Sequence, residues 1–374
     1  MMLRLALLLP LALVGQAEAR HVERSGSVYH VAACTHALGA TATCNARIVS
    51  DESGNIAVSR AAIVGYAPAD LRDAYKIKGK GARTTIVAAA TAYGYTDAEA
   101  DLSVYRAQWG LPVCTTANGC FKKLNQTGAA GPYPPQNLGW AQEAALDLDM
   151  ASAMCPNCSI WLMEANTASF ANLAATVNTA ASLGAHAIAN SYGGGESGTT
   201  TFEPSYNHPG IAITASSGDG GAGAPQFPAT SPHVTAVGGT HLVPAANARG
   251  WTETGIGGGG CSTIYAKPAW QTWPSCTRRV VVDVAAVGDP ATGVAVYGPV
   301  SSTASGWMTI GGTSVGAPLI AGVYGVNGGT VTYGSDPYAH PTQLFDITSG
   351  GGAGPGYDPP TGMGTPKGAG AFGP

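Results

Sequence analysis

Short apolar runs alternate along this chain with longer segments in which apolar residues recur at helical spacing. The runs at 86–90, 159–163, 186–189 and 211–215 are too short for helices and read as strands. Segments 97–109, 142–154 and 168–183 carry the helical pattern. Further on, 280–287, 294–297 and 307–310 read as strands and 314–326 as a helix. Strands and helices in alternation need crossover connections, which place helices on both faces of a sheet. The expectation is an α/β fold with a mostly parallel central sheet, filling a domain over 64–374. Residues 20–63 are polar and poorly periodic and read as a short N-terminal segment, a candidate pro-segment or covering arm.

Composition narrows the class. Of 374 residues, 45% are hydrophobic and 11% charged, so disorder is not expected, while 53 Gly and 25 Pro imply many tight turns. The net charge of -4 comes without any lysine or arginine run, so neither nucleic acid nor a membrane surface is expected as a partner. Residues 1–19 have the marks of a signal peptide: Arg4, an apolar stretch over 5–14 and Ala17-Glu18-Ala19 as a cleavage site. That stretch is too short to span a bilayer, so the protein is expected to be secreted, outside the cell or in the periplasm, and to begin at Arg20. In such a compartment the eight cysteines suggest disulfides, and their spacing (34/44, 114/120, 155/158, 261/276) suggests four sequential pairs. Nothing around Cys155 and Cys158 looks thioredoxin-like, and an oxidising compartment does not preserve the thiolates that zinc needs.

Candidate chemistry centres on the octet Gly311-Gly312-Thr313-Ser314-Val315-Gly316-Ala317-Pro318. Glycines before Ser314 allow a sharp turn, and the helix that follows offers free N–H groups for a developing oxyanion. The octet contains G-x-S-x-G, the turn of α/β-hydrolases, but that fold needs an acid and then a histidine after the serine. Only Asp336 and His340 qualify, and the tail is too short and glycine-rich to complete such a fold. The glycines at 255, 257 and 260 match a dinucleotide pattern but sit in a loop, expected without a preceding strand or following helix, so no nicotinamide cofactor is expected. An Asp-His-Ser triad is also missing: strand 86–90 runs into Thr91, Ala92 and Tyr93, and no histidine heads a suitable helix. Helix 142–154 instead carries Glu143 and Asp147, four residues apart on one face among apolar neighbours. Buried like charges are expensive unless they share a proton or do chemistry.

Glu143-Ala-Ala-Leu-Asp147-Leu-Asp149 followed by Pro156, Ser217-Gly218-Asp219 and the Ser314 octet resemble, in this order, the sedolisins, serine-carboxyl peptidases with a subtilisin-like fold. The likeness runs from Tyr66-Ala67-Pro68-Ala69-Asp70-Leu71 to the C-terminus. It implies a monomeric endopeptidase acting on proteins or peptides through an acyl-enzyme. Ser314 would be the nucleophile, Glu143 the base, Asp147 the partner orienting and sharing a proton with it, and Asp219 the oxyanion donor. A carboxyl donates a hydrogen bond only while protonated, which points to activity in acid. The resemblance also implies one structural Ca2+ held by side-chain oxygens of Asp346 and Asp358 and carbonyls of Ile347, Gly354 and Gly356, an oxygen set that suits a hard cation. Asn190-Ser191-Tyr192-Gly193 resembles the family's substrate-binding segment. Sedolisins are generally made with a long folded pro-domain, whereas here residues 20–63 alone stand between the signal-like segment and the domain. A catalytically silent relative would be expected to lose one of the four catalytic residues, and all four stand.

Overall fold

The computed structural model describes residues 21–35, 41–58, 63–221, 223–273, 275–328 and 331–374; the signal-like segment 1–19 lies outside them. Through the middle runs an eight-stranded sheet in the order Trp251–Gly255, Thr235–Pro244, Ala212–Ser216, Ala187–Asn190, Ile86–Ala92, Ser159–Ala165, Phe121–Asn125, with Val284–Val287 also paired to Thr235–Pro244. All neighbours are parallel except Trp251–Gly255, which runs antiparallel at an edge. The inner strands are buried along their length, which is why they appear in sequence as continuous apolar runs and not as alternating ones.

Cap chemistry, more than apolar periodicity, fixes where two of the helices begin. The helix expected over 142–154 spans Leu138–Met154, because the Asn137 side chain accepts the Trp140 N–H and satisfies one free donor of the first turn. Ser169 plays the same part for Phe170–Ser182. Every residue from Gly139 to Met154 is buried. That helix packs on Gly316–Asn327, and the close approach requires Gly322, where a Cβ would sit 2.7 Å from Met154 Cβ.

Two expectations change. The run at 280–287 is two strands: Arg278–Val281 pairs with Gly260–Ala266, and Val284–Val287 joins the central sheet. Between them the buried carboxylate of Asp283 accepts the Ala236 N–H and pairs with Arg279, which turns the chain from one sheet to the other. The glycine cluster at 255–260 does follow a strand, Trp251–Gly255, but leads into another strand and not a helix.

A second, antiparallel sheet has the order Val22–Ser25, Val28–Ala32, Arg47–Ser50, Ala304–Gly311, Val294–Ser301. Three of its strands come from the stretch that lacks sequence periodicity; their pairing is supplied by a hairpin more than two hundred residues away, Ile48 lying opposite Ile310. The eight cysteines form Cys34–Cys44, Cys114–Cys120, Cys155–Cys158 and Cys261–Cys276, the four sequential pairs that the spacing suggests.

Candidate active site

Three elements converge on Ser314. The strand Ala304–Gly311 is followed by Gly312, whose φ of +91° only glycine adopts readily, and the turn presents Ser314 just ahead of the Gly316–Asn327 helix. The Leu138–Met154 helix brings Glu143 and Asp147 beneath it. Ser314 Oγ lies 2.9 Å from Glu143 Oε2 and 3.1 Å from the Ser191 carbonyl, so its single proton chooses between two acceptors. Ser191, at the end of the strand Ala187–Asn190, donates its hydroxyl to Asp147 Oδ1. Ser314, Glu143 and Asp147 are all 0% exposed.

Burial without a cation sets the electrostatics. Glu143 Oε1 and Asp147 Oδ2 have no hydrogen-bond partner, and neither acid is in an ion pair among the described residues. Burial first, then the neighbouring Asp147, pushes Glu143 well above the usual carboxylate range. Burial pushes Asp147 up to about 8, against the pull of the Ser191 hydroxyl. Two orphan oxygens one helical turn apart are the arrangement in which a single proton can serve both carboxyls.

Asp219 follows the strand Ala212–Ser216 and reaches the turn before Ser314. Its Oδ1 accepts the Thr313 N–H at 2.9 Å and the Thr313 hydroxyl at 2.8 Å, and its Oδ2 lies 3.2 Å from Arg47 Nε. Burial raises its pKa, while Arg47 and the two Thr313 bonds hold it back. A cleft of about 310 Å³ opens beside it, lined among others by Asn45, Arg47, Gly193, Gly194 and Gln226. No histidine hydrogen-bonds to any of these four residues among the described ones. Asp336 and His340 stay within their own turn, where His340 Nδ1 meets the Asp336 carbonyl and the Asp336 carboxylate accepts the Thr332 N–H.

The structure adds groups that sequence reasoning missed. Ala46 donates its N–H to Glu143 Oε2 at 3.0 Å, and Arg47 pairs with Asp219. A backbone donor has no signature in sequence, and a lone arginine in an aperiodic stretch carries none either.

The five residues of the expected calcium set lie apart from this cleft, around the glycine-rich loop 346–358. Asp346 Oδ2 accepts the Gly356 N–H at 2.9 Å, and Asp358 accepts from Gly354 and from Thr361. Burial raises the Asp358 pKa, and the negative charge of Asp346 adds to it. Neither carboxylate is in an ion pair, and no group of three or more His, Cys, Asp or Glu side chains able to hold a metal occurs among the described residues. Two uncompensated carboxylates facing one loop fit a hard cation whose remaining ligands are carbonyls, such as those of Ile347, Gly354 and Gly356.

No protein-family model matches the chain. Kumamolisin from Bacillus sp. (strain MN-32) is 31% identical over an alignment covering 82% of this chain and 63% of that protein. Tripeptidyl-peptidase 1 from Homo sapiens is 28% identical over 42% of this chain and 36% of its own length. The chain thus spans less than two thirds of the curated relatives it matches. Among solved structures, a Pseudomonas sedolisin (serine-carboxyl proteinase) complexed with two molecules of pseudo-iodotyrostatin superposes with a TM-score of 0.69 at 24% identity, covering 82% of this chain and 96% of that one. Fervidolysin from Fervidobacterium pennivorans, a keratinolytic enzyme related to subtilisin, gives 0.52 at 17% identity, covering 79% and 43%. The fold is therefore subtilisin-like.

Proposed function

The chain belongs to the sedolisin family, and from that premise we propose that it is a secreted serine-type endopeptidase that cuts protein or peptide substrates in acid through Ser314, Glu143, Asp147 and Asp219. One observation carries the reading: the buried Ser314 hydroxyl is held 2.9 Å from a carboxylate, and no histidine among the described residues hydrogen-bonds to either. Glu143 accepts the serine proton as Ser314 attacks the scissile carbonyl, and returns it to the leaving amine. Asp147 shares the pair's remaining proton with Glu143, and the Ser191 hydroxyl keeps it oriented. Asp219, protonated, donates to the oxyanion, and its raised pKa widens the pH range in which it can do so. The acyl-enzyme is then hydrolysed by water.

Acid suits both halves of this site. An unperturbed imidazole, with a pKa of about 6.5, would be protonated there, whereas a coupled carboxyl pair holding one proton still has a base. Activity should fall on the acid side as the pair takes its second proton and on the alkaline side as Asp219 loses its own. Asp346, Asp358 and the carbonyls of Ile347, Gly354 and Gly356 would hold Ca2+, which would neutralise two like charges and fix the glycine-rich loop. Secretion is supported by the four disulfides and the signal-like segment; no helix among the described residues is long and apolar enough to cross a membrane. We read the enzyme as a monomer without nucleic-acid or membrane partners.

The test sets casein digestion between about pH 3 and 6 against hydrolysis of a short-chain ester at about pH 8. Casein cleavage in acid is expected. Ester hydrolysis alone would overturn the peptidase reading.

A further inference from the structure

Basic side chains are sparse in this chain, 18 lysines and arginines in 374 residues, yet Lys76, Lys78, Lys80 and Arg83 fall within eight positions. No Asp or Glu occurs from 74 to 96 to offset them. They are interleaved with Ile77, Gly79 and Gly81 and so form no continuous run. The interleaving has a packing cause. Ile77 is 4% exposed in the core, a Cβ on Gly79 would sit 2.5 Å from Val326 Cγ1, and one on Gly81 would sit 2.1 Å from Cys155 Sγ. With those three residues turned to the body of the fold, Lys78, Lys80 and Arg83 are left exposed.

The loop is held in place by its own carbonyls. That of Gly79 accepts from Arg72 Nη2 at 2.6 Å, that of Lys80 from the Asn157 N–H at 2.9 Å, and that of Arg83 from the Ser159 hydroxyl at 2.7 Å. Asn157 lies inside the turn closed by the buried Cys155–Cys158 disulfide, so the loop is pressed against a cross-linked wall. Lys76 is neutralised by Asp73 at 2.9 Å. Lys78, Lys80 and Arg83 are in no ion pair among the described residues. Three free cations on a fixed backbone have only side-chain freedom left to lose when an anion binds.

We propose that the 76–83 loop is an anchoring site for a polysaccharide carrying sulfate or phosphodiester charges, which holds the enzyme on an anionic surface with its cleft free. The loop leads into the N-terminal end of Ile86–Ala92, whereas Ser191 and Asp219 follow the C-terminal ends of strands parallel to it. One strand length, about 20 Å, therefore separates the patch from the catalytic groups. None of the exposed large apolar residues lies between 72 and 85, so no side chain is offered for insertion into a bilayer. Tyr75, the one aromatic residue in that stretch, is 0% exposed, so none is offered for stacking on bases. In the acid range proposed for activity a carboxylate polymer, with pKa values of about 4, loses much of its charge, while sulfate and phosphodiester groups stay ionised. That choice of anion rests on the peptidase reading; the patch itself does not.

Binding of the full-length chain in mild acid is measured against fluorescent dextran sulfate, polyglycerol phosphate and uncharged dextran, a readout that needs no enzymatic activity. The native chain should bind at least one of the two charged polymers and not the uncharged one, with affinity falling about tenfold or more between about 50 and 200 mM salt. Binding of dextran sulfate alone assigns a sulfated ligand, and binding of polyglycerol phosphate alone a phosphodiester one. Lys78→Ser with Lys80→Ser should weaken binding about tenfold or more. Lys122→Ser with Arg278→Ser, which removes the same charge elsewhere on the surface, should change it by less than about twofold. Both double variants should melt with the native chain, and hydrolysis of a short peptide should be the same with and without polymer. No binding to either charged polymer, equal losses in the two double variants, or tighter binding to single-stranded DNA or to phosphatidylglycerol vesicles overturns the proposal. A polymer that binds and blocks peptide hydrolysis sits in the cleft and overturns it too. Binding as described by a chain that cuts no peptide sinks the peptidase reading and leaves the anchoring site standing.

Discussion

Two pairs of buried acids in this molecule are treated in opposite ways. Around Glu253 and Asp283 every carboxylate oxygen is bonded. Glu253 accepts from Tyr75, Thr240, Thr365 and Arg249, and Asp283 from Arg279, Tyr338, Gln271 and the Ala236 N–H. Each has a guanidinium partner. Glu143 and Asp147 have none, and each keeps an oxygen with no partner at all. Buried charge is tolerated when it is paired and hydrogen-bonded; where it is left unpaired beside a nucleophile, the group is available for proton transfer. Satisfaction of the oxygens, not burial, separates Glu253 and Asp283 from Glu143 and Asp147.

The comparison breaks most easily through activity. Glu143→Gln and Ser314→Ala should each abolish peptide hydrolysis, by about a thousandfold or more, because members of one proton-transfer unit are lost together. Glu143→Gln should unfold in urea at or above the native midpoint, since it removes a buried carboxyl that has no ionic partner, and Ser314→Ala close to the native midpoint, since it removes a single hydroxyl. A fully active Glu143→Gln enzyme would falsify the proposed base. Asp283→Asn should do the reverse. It strands the Arg279 guanidinium, which is fully buried, and should cost about 3–5 kcal/mol in urea unfolding, while the folded fraction keeps native specific activity. An unchanged midpoint would remove the contrast.

The groups of this site differ in how far the sequence displays them. Glu143 and Asp147 are visible because their spacing places two acids on one face of an apolar helix, and Ser314 because glycines and a following helix frame it. The four cysteine pairs are visible because each closes a short loop. Asn45, Ala46 and Arg47 are not visible. Two of them act through backbone atoms, and the flanking strands Thr43–Cys44 and Arg47–Ser50 are defined by their partners Tyr192 and Ile310 and not by any period of their own. The break at Asp283 was hidden for a related reason: a run of valines outweighs one acid until its partner Arg279, four residues earlier, is seen to reach it. Local pattern reveals elements that bury one face, and long-range pairing decides the remainder.

Proton linkage sharpens the same contrast. Asp147 is pushed up to about 8 in the folded chain, against about 3.9 when unfolded. Above about pH 4 the coupled pair keeps one shared proton that the unfolded chain has released, so stability falls as pH rises from there towards about 8, where that proton is lost. Each tenfold difference in proton affinity is worth about 1.4 kcal/mol. Melting of the Ser314→Ala chain should therefore be highest near the acid end of this window, and adding Asp147→Asn should flatten the slope. A melting temperature that climbs steadily towards neutral pH would mean that these acids are ionised and paired in the folded chain.

Asp346 and Asp358 form a third arrangement, between the other two. They lack a guanidinium, as Glu143 and Asp147 do, but they sit in a glycine-rich loop, Asp346 exposed and Asp358 buried, and accept backbone N–H groups instead of facing Ser314. A cation is the missing partner that would move them into the satisfied class. A ligand bound only by the folded state stabilises it by about 2.7 kcal/mol at a concentration a hundredfold above its dissociation constant. Chelation of calcium should accordingly lower the melting temperature by several degrees, and added calcium, but not added magnesium, should restore it, because carbonyl-rich and irregular loops suit the larger ion. Asp358→Asn should start at the lower value and respond to neither. If chelation leaves native melting unchanged, this loop holds its shape through Gly354, Gly356 and Thr361 alone, and the two aspartates belong with the structural acids.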